Sequence, residues 1–220
     1  MEGVCAVDIG TTRIKALLLT EEASAGPVAS VPSVLSTPLV GAAEVDAEAL
    51  WAQTQAALRE ACNSGQVAAL VISNQRATVF LVDEEGRPLA PGLSWQDSRG
   101  SQALSTWLAQ VGRERFARVT GLAPSALWSL AKILWWRERG LLSAGARVAT
   151  VQDWLLYRLG AHDWVLDHAN ASLTGLLDIH SLAWDTDLVA AAGLTPSQLP
   201  RLAPSGTRVG GLDAAVAAAI

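Results

Sequence analysis

Within the first fifteen residues a carboxylate, a glycine, two hydroxyls and an ammonium follow one another as Asp8, Gly10, Thr11, Thr12 and Lys15. Gly10 has no Cβ, so a ligand can approach its backbone closely. The hydroxyls and backbone N–H groups of Thr11 and Thr12 are donors for phosphate oxygens. Asp8 suits Mg²⁺, directly or through its waters, because this ion takes few carboxylates and keeps much of its hydration. Lys15 adds a positive charge for a terminal phosphate. Together these groups make one half of a phosphoryl-transfer site. The plain alternative is an ordinary hairpin with an Asp-x-Gly turn, and a lone D-x-G would say no more than that. The longer D-I-G-T-T-x-x-K is more specific. It is not a Walker loop, since no G-x-x-x-x-G-K-[ST] occurs in the chain.

Such a turn needs a rigid frame, and the flanking residues predict one. Val4–Ile9 and Ile14–Leu19 are apolar β-prone runs, which predicts two strands around the turn. Gly26-Pro27 marks a further turn. Val28 to Leu35, broken by Pro32, reads as a third strand at a sheet edge, where a missing N–H is tolerated. Asp46 is an N-cap candidate with Glu48 in the first turn. Ala47, Leu50, Trp51, Thr54, Leu58 and Ala61 then recur at helical spacing as far as Gly65. Val67–Ser73 is short and continuously apolar, as a strand buried on both faces would be. Three strands, a helix and a buried strand open a ribonuclease-H-like α/β layer, a mixed sheet flanked by helices. A Rossmann sheet would place a helix directly after its first strand.

Further along, Ala77–Val82 and Gly92–Trp95 flank the turn Asp83-Glu84-Glu85-Gly86-Arg87-Pro88 and predict a hairpin. Helices are expected over Leu104–Val111, stopped by Gly112, and over Leu127–Trp135, ending in Arg137, Arg139 and Gly140. Another covers Val151–Leu159 and stops at Gly160, with Asp153 as a helix-start residue. Leu188–Ala192 reads as helical, Pro196, Pro200 and Pro204 punctuate a loop, and Leu212–Ile220 begins a helix without a stop signal.

Composition bounds the function classes. Half of the 220 residues are hydrophobic and 17% are charged, which predicts a folded chain with a core. A net charge of −5 argues against nucleic acid or an anionic membrane surface as partner. Cys5 and Cys62 read as reduced, packed thiols, and His162, His168 and His180 lack metal-ligand spacing with them. No signal peptide or membrane-length apolar run is visible, so a cytoplasmic location is expected.

The hairpin resembles the first phosphate-binding hairpin of the actin-like ATPase superfamily. With Ser73-Asn74-Gln75-Arg76 and Trp95-Gln96-Asp97-Ser98-Arg99 added, the chain resembles the N-terminal domain of the FGGY carbohydrate kinases, a group including glycerol kinase, xylulokinase and gluconokinase. Matches continue through D-E-E-G-R-P-L, Thr120-Gly121-Leu122 before Lys132, Gln152-Asp153-Trp154-Leu155, Asp167-x-x-Asn170-Ala171-Ser172, and Gly206 to Gly211. The resemblance implies a two-domain kinase that holds a sugar, sugar acid or polyol in the interdomain cleft. Asp8, Gly10, Thr11, Thr12 and Lys15 would face ATP phosphates and Mg²⁺, with Asp8 as the metal residue. Gln75, Arg76, Trp95 and Asp97 would line the substrate side, Arg76 through a fork suited to two adjacent oxygens. Without the family, Arg76 reads as a surface salt bridge, Trp95 as core packing, and Asp97 with Arg99 as a local ion pair or helix cap.

Two departures bear on the substrate. Glycerol kinases carry a glutamate after the matching arginine, where this chain has Ala77, and their substrate-side aromatic aligns with Leu127. Xylulokinases carry Met-His where this chain has Arg76-Ala77. The family's catalytic aspartate and its adenosine-binding domain are expected beyond the last residue here. The expectation is therefore a truncated domain over 1–220, inactive by itself and with an open apolar face that favours self-association, a homodimer among the outcomes. Two other readings stay open. One is a non-catalytic sugar-binding or regulatory module; the other is an actin- or chaperone-like ATPase, against which the sugar-side motifs argue.

Overall fold

Strands β1 (Glu2–Ile9) and β2 (Arg13–Thr20) pair antiparallel, with Ile9 opposite Ile14 around the expected turn. The computed structural model describes residues 2–21, 28–63 and 65–220, so the turn expected at Gly26-Pro27 lies outside the described residues. Strand β3 (Ala29–Pro32) joins the far side of β2 and forms one edge of the sheet, as its proline requires. A short strand, β4 (Glu44–Val45), begins a second sheet.

Side chains alternate across a strand, so Cys5, Val7 and Ile9 of β1 share a buried face with Ile14, Ala16 and Leu18 of β2. Helix α1 (Ala47–Cys62) packs on that face through Leu50, Trp51, Thr54, Leu58 and Ala61, the expected stripe. Its N-terminus is capped as predicted, the Ala49 N–H donating to Asp46 Oδ1 at 3.0 Å. Cys5 and Cys62, distant in sequence, meet here as free thiols with sulfurs 3.6 Å apart. Burial first, and Cys62 second, push the Cys5 thiol up to about 12.

Strand β5 (Gln66–Asn74) pairs parallel to β1 and completes the order β3-β2-β1-β5. The sequence reading of this strand as buried on both faces is corrected: none of its residues is buried, and Val71 is 54% exposed. The reason is topological. Among the described residues nothing pairs with the outer edge of β5, and an apolar run by itself cannot separate an interior strand from an uncovered one.

The second sheet has order β4-β7-β6-β8, from β6 (Val79–Val82), β7 (Gly92–Leu93) and β8 (Arg147–Thr150), paired antiparallel throughout. The 83–88 turn between β6 and β7 is tied by Asp83, which accepts from the Arg87 N–H at 2.8 Å and from Arg87 Nε at 2.7 Å. Every residue of β6 is buried, and its alternation divides two cores. Phe80 and Val82 face the first sheet's core, where Phe80 lies 5.0 Å from Trp154 between ring centroids. Val79 and Leu81 face the core built by α2 (Ser101–Val111), α3 (Arg113–Thr120) and α4 (Ser129–Glu138). Fully burying side chains of this size contributes about 1.5–3 kcal/mol each.

Helix α3 was not expected, since its sequence R-E-R-F-A-R-V-T buries only Phe116 and Thr120 and shows no apolar stripe. Helix α5 (Val151–Leu159) has the predicted bounds, with Thr150 and Asp153 forming its capping box. The remainder is short elements: β9 (Val165–Asp167), α6 (His168–Ala171), β10 (Leu177–Asp178), β11 (Ala183–Trp184) and α7 (Thr186–Ala191). Strand β12 (Arg201–Ala203) pairs parallel with β9, and α8 (Ala214–Ala219) follows an Asp213 cap. No helix among the described residues is long and apolar enough to cross a membrane.

Candidate functional site

Register across three strands sets the polar end of the first sheet. Lys15 of β2, Asp8 of β1 and Ser73 of β5 lie in one row, and all three are exposed. An ammonium and a carboxylate thus stand opposite one another in the ladder, yet Asp8 makes no ion pair among the described residues. Beyond it, Gly10 closes the turn by donating its N–H to Arg13 O at 3.0 Å. A Cβ on Gly10 would stand 2.7 Å from that same oxygen, so the tightness of the turn itself demands glycine. Thr12 is exposed.

The hydroxyl of Thr11 points elsewhere. It donates to Gln75 Oε1 at 3.0 Å and accepts from the Trp95 indole Nε1 at 2.9 Å. Thr78 closes the same network, donating to Gln75 Oε1 at 3.1 Å and accepting the Trp95 N–H at 3.1 Å. Three residues assigned from sequence to two different functions, Thr11, Gln75 and Trp95, are therefore joined directly.

The bend that brings this about is Ala77. Its φ of +61° lies in the left-handed region, which costs a non-glycine residue about 1–2 kcal/mol. The turn delivers the chain from β5 into β6 with Thr78 facing Gln75. Arg76, just before it, is exposed and has one long contact, Nη1 to Ala169 O at 3.5 Å. No carboxylate pairs with it among the described residues. The start of α6 abuts this end of β5: Asn74 Nδ2 donates to Asn170 Oδ1 at 3.0 Å, and Asp167 caps the helix by accepting from the Asn170 N–H at 2.7 Å. Burial opposes its charge, but the bonds from Asn170, Ser205 and Gln152 prevail and hold the Asp167 carboxyl below its usual range.

A profile of the FGGY family of carbohydrate kinases, N-terminal domain, matches residues 4–220. The chain belongs to this family. It is 31% identical over 223 residues to a glycerol kinase of Methylobacterium radiotolerans, covering 92% of this chain and 44% of that protein. Its fold superposes on a xylulose kinase of Rhodospirillum rubrum with a TM-score of 0.92 at 29% identity, covering 99% of this chain and 46% of that one. A Plasmodium falciparum glycerol kinase with ADP superposes at 0.90 with 22% identity, over 98% of this chain and 46% of the other, a likeness of fold. The chain thus spans less than half the length of these relatives.

Within this FGGY domain, Asp97 is buried. It is 2% exposed, accepts the Ala43 N–H at 2.9 Å, and is gripped by Arg99 through Nε at 2.9 Å and Nη2 at 2.6 Å. Arg99 also pairs with Glu44 at 2.8 Å and lies 4.4 Å over Trp135. Both oxygens of Asp97 are thus engaged inside the protein, in the local ion pair that the sequence also allowed. Trp95, by contrast, is only partly buried. A groove of about 470 Å³ runs along β5, lined by Val67 to Ile72, Asp167 and 206–212, and none of the assigned phosphate or sugar residues lines it.

Two members of the network carried no functional reading at sequence level. Thr78 is a lone hydroxyl beginning an apolar strand, and its only signal is that a fully buried hydroxyl needs a partner. Lys132 appeared as a landmark in a family match. It is 1% exposed, and its Nζ donates to the carbonyls of Trp95 at 3.1 Å, Leu127 at 2.9 Å, Trp128 at 3.3 Å and Ala126. Burial pulls the Lys132 ammonium down to about 7, opposed by the charge of Asp97.

Proposed function

We propose that this chain forms the sugar-side and phosphate-hairpin part of an ATP-dependent carbohydrate or polyol kinase, which moves the ATP γ-phosphate to a hydroxyl of a small sugar, sugar acid or polyol. The observation that carries this reading is the direct link from the phosphate hairpin to the substrate wall, Trp95 Nε1 to Thr11 Oγ1 to Gln75 Oε1. A hairpin built only to hold ATP needs no tie to a half-exposed indole. The exposed guanidinium of Arg76, next in sequence to Gln75, has one long contact, to Ala169 O, and further donors for adjacent hydroxyls. Lys15, the Thr12 hydroxyl and the backbone N–H groups of Thr11 and Thr12 are the phosphate donors. The donor set fits Mg²⁺, since Asp8 offers an exposed carboxylate that makes no ion pair among the described residues, which suits a largely hydrated ion. When bound, the ion would neutralise charge on the β- and γ-phosphates.

The assigned set contains no general base, so the chain is expected to bind without turning over. Isothermal titration of the 220-residue chain with glycerol, D-xylulose and D-gluconate tests the sugar half. Saturable binding of one of them, lost in Arg76→Ala, supports the reading. Absence of binding by every member of a wider polyol, ketose and sugar-acid panel would refute it. ADP release above the protein-free control in a coupled assay would show that a base has been overlooked. Binding of a sugar with no phosphoryl transfer even from a full-length relative carrying these residues would favour a regulatory module.

A further inference from the structure

The geometry points to Lys132 and Thr78 as positioning residues of the substrate wall: together they hold the backbone of Trp95 so that its indole N–H meets Thr11. The inference rests on the reading of Trp95 as a substrate wall and adds the means by which the wall is set.

Trp95 is held at three points by three separate elements. Thr78, entering β6, accepts its backbone N–H; Lys132, on α4, donates to its carbonyl; Thr11, in the phosphate turn, accepts its indole N–H. Each bond lies between 2.9 and 3.1 Å. Fixing N and O on either side of one Cα leaves the side chain only its own rotamers, and the indole bond selects among those. The wall and the phosphate turn are thereby kept in register.

The choice of lysine at 132 is otherwise hard to account for. A buried ammonium is costly, and among the described residues no carboxylate bonds to this one. Its three hydrogens are shared by four carbonyls drawn from two segments, Trp95 and 126–128. That is a clamp between the end of β7 and the entry to α4. Asp97 is the one ionised side chain acting on it among the described residues, with Arg99 and Glu44 paired behind Asp97. Losing a proton would leave an amine with two hydrogens for the same four oxygens. The grip on Trp95 therefore loosens as pH rises past the depressed range of Lys132.

The test uses the 220-residue chain labelled with ¹⁵N-tryptophan, its Trp95 indole resonance assigned by Trp95→Phe. In Lys132→Met and in Thr78→Val that resonance is expected to move, and its hydrogen exchange to quicken about tenfold, the equivalent of one bond to a charged or buried group. Titration with glycerol, D-xylulose and D-gluconate is run in parallel. For any probe the parent chain binds, Kd is expected to rise about tenfold in either variant. Weakening of that binding between pH 6 and 8.5 should also vanish in Lys132→Met. An indole resonance unmoved in both variants overturns the inference, as does an unchanged Kd with intact pH dependence in Lys132→Met. Should Lys132→Met fail to fold, Thr78→Val decides on the same readouts. If no member of the wider polyol, ketose and sugar-acid panel binds the parent chain, the sugar-site reading fails, while the indole resonance still decides whether these residues position Trp95.

Discussion

Asp153 offers a quantitative check on how this domain handles buried charge. Its side chain is 0% exposed; Oδ1 accepts from the Thr150 N–H at 2.7 Å and from Thr150 Oγ1 at 2.6 Å, while Oδ2 is buried with no partner among the described residues. Burial raises the carboxyl from 3.8 to about 7, against the Thr150 bonds and the Arg147 charge that favour ionisation. The native state therefore keeps a proton that the unfolded chain has already lost between those two values. The contribution of this carboxyl to stability falls with rising pH across that window and is level above it. At about 1.4 kcal/mol per unit, the three-unit span corresponds to an upper limit of about 4 kcal/mol. Asp153→Asn keeps the Oδ1 acceptor and puts a neutral amide where the lone oxygen stands. Near pH 4 the variant is expected to match the parent or fall about 1 kcal/mol below it, because of the extra unpaired N–H. Above pH 7 it should be the more stable by roughly 2–4 kcal/mol. Urea melts at pH 4.5, 6, 7 and 8, followed by tryptophan emission, give the difference directly. Parallel stability curves for the two proteins would refute the reasoning.

Arg99→Met leaves the Asp97 carboxylate buried with only backbone donors, and is expected to cost about 3–5 kcal/mol. Adding Asp97→Asn should recover at least about 1 kcal/mol of that in the same urea melts, whereas additive losses would contradict the pairing. Gly100→Ala would place a Cβ 2.0 Å from Ala131 O, a backbone atom that cannot turn aside, so α2 and α4 must separate. A loss of about 3 kcal/mol is expected, and a melting temperature within two degrees of the parent's, roughly the reach of ordinary surface changes, would show that the contact is not so tight.

What the sequence conveyed and what it hid divide along a physical line. Features decided by a few neighbouring residues were legible: the Asp8–Lys15 hairpin, the Asp46 cap, the bounds of Val151–Leu159 with its Gly160 stop, and the edge position of the Pro32 strand. Features decided by what lies across space were not. Val67–Ser73 is as apolar as an interior strand, yet no neighbour covers its outer edge. Arg113–Thr120 forms a helix with two buried residues because Gly112 ends one helix and starts the next, a reversal with no periodic signature. At the site, the residue types were readable but their partners were not. Thr11 and Trp95 stand 84 residues apart, and nothing in either one's neighbours announces the hydrogen bond between them.

That bond also changes how the turn divides its work. A hydroxyl has one hydrogen, and Thr11 gives its own to Gln75 while receiving that of Trp95. For the side chain of Thr11 to donate to a phosphate oxygen it would have to release Gln75, whose Oε1 would keep only the Thr78 hydroxyl. The exposed Thr12 hydroxyl faces no such conflict, nor does the exposed ammonium of Lys15. The two adjacent threonines, alike in the sequence, thus differ in structure: the Thr12 side chain is exposed, while the Thr11 hydroxyl is engaged by Gln75 and Trp95. The arrangement draws its rigidity from both cores, because Ile9 and Ile14 anchor the turn in one and Val79 and Leu93, beside Thr78 and Trp95, lie in the other.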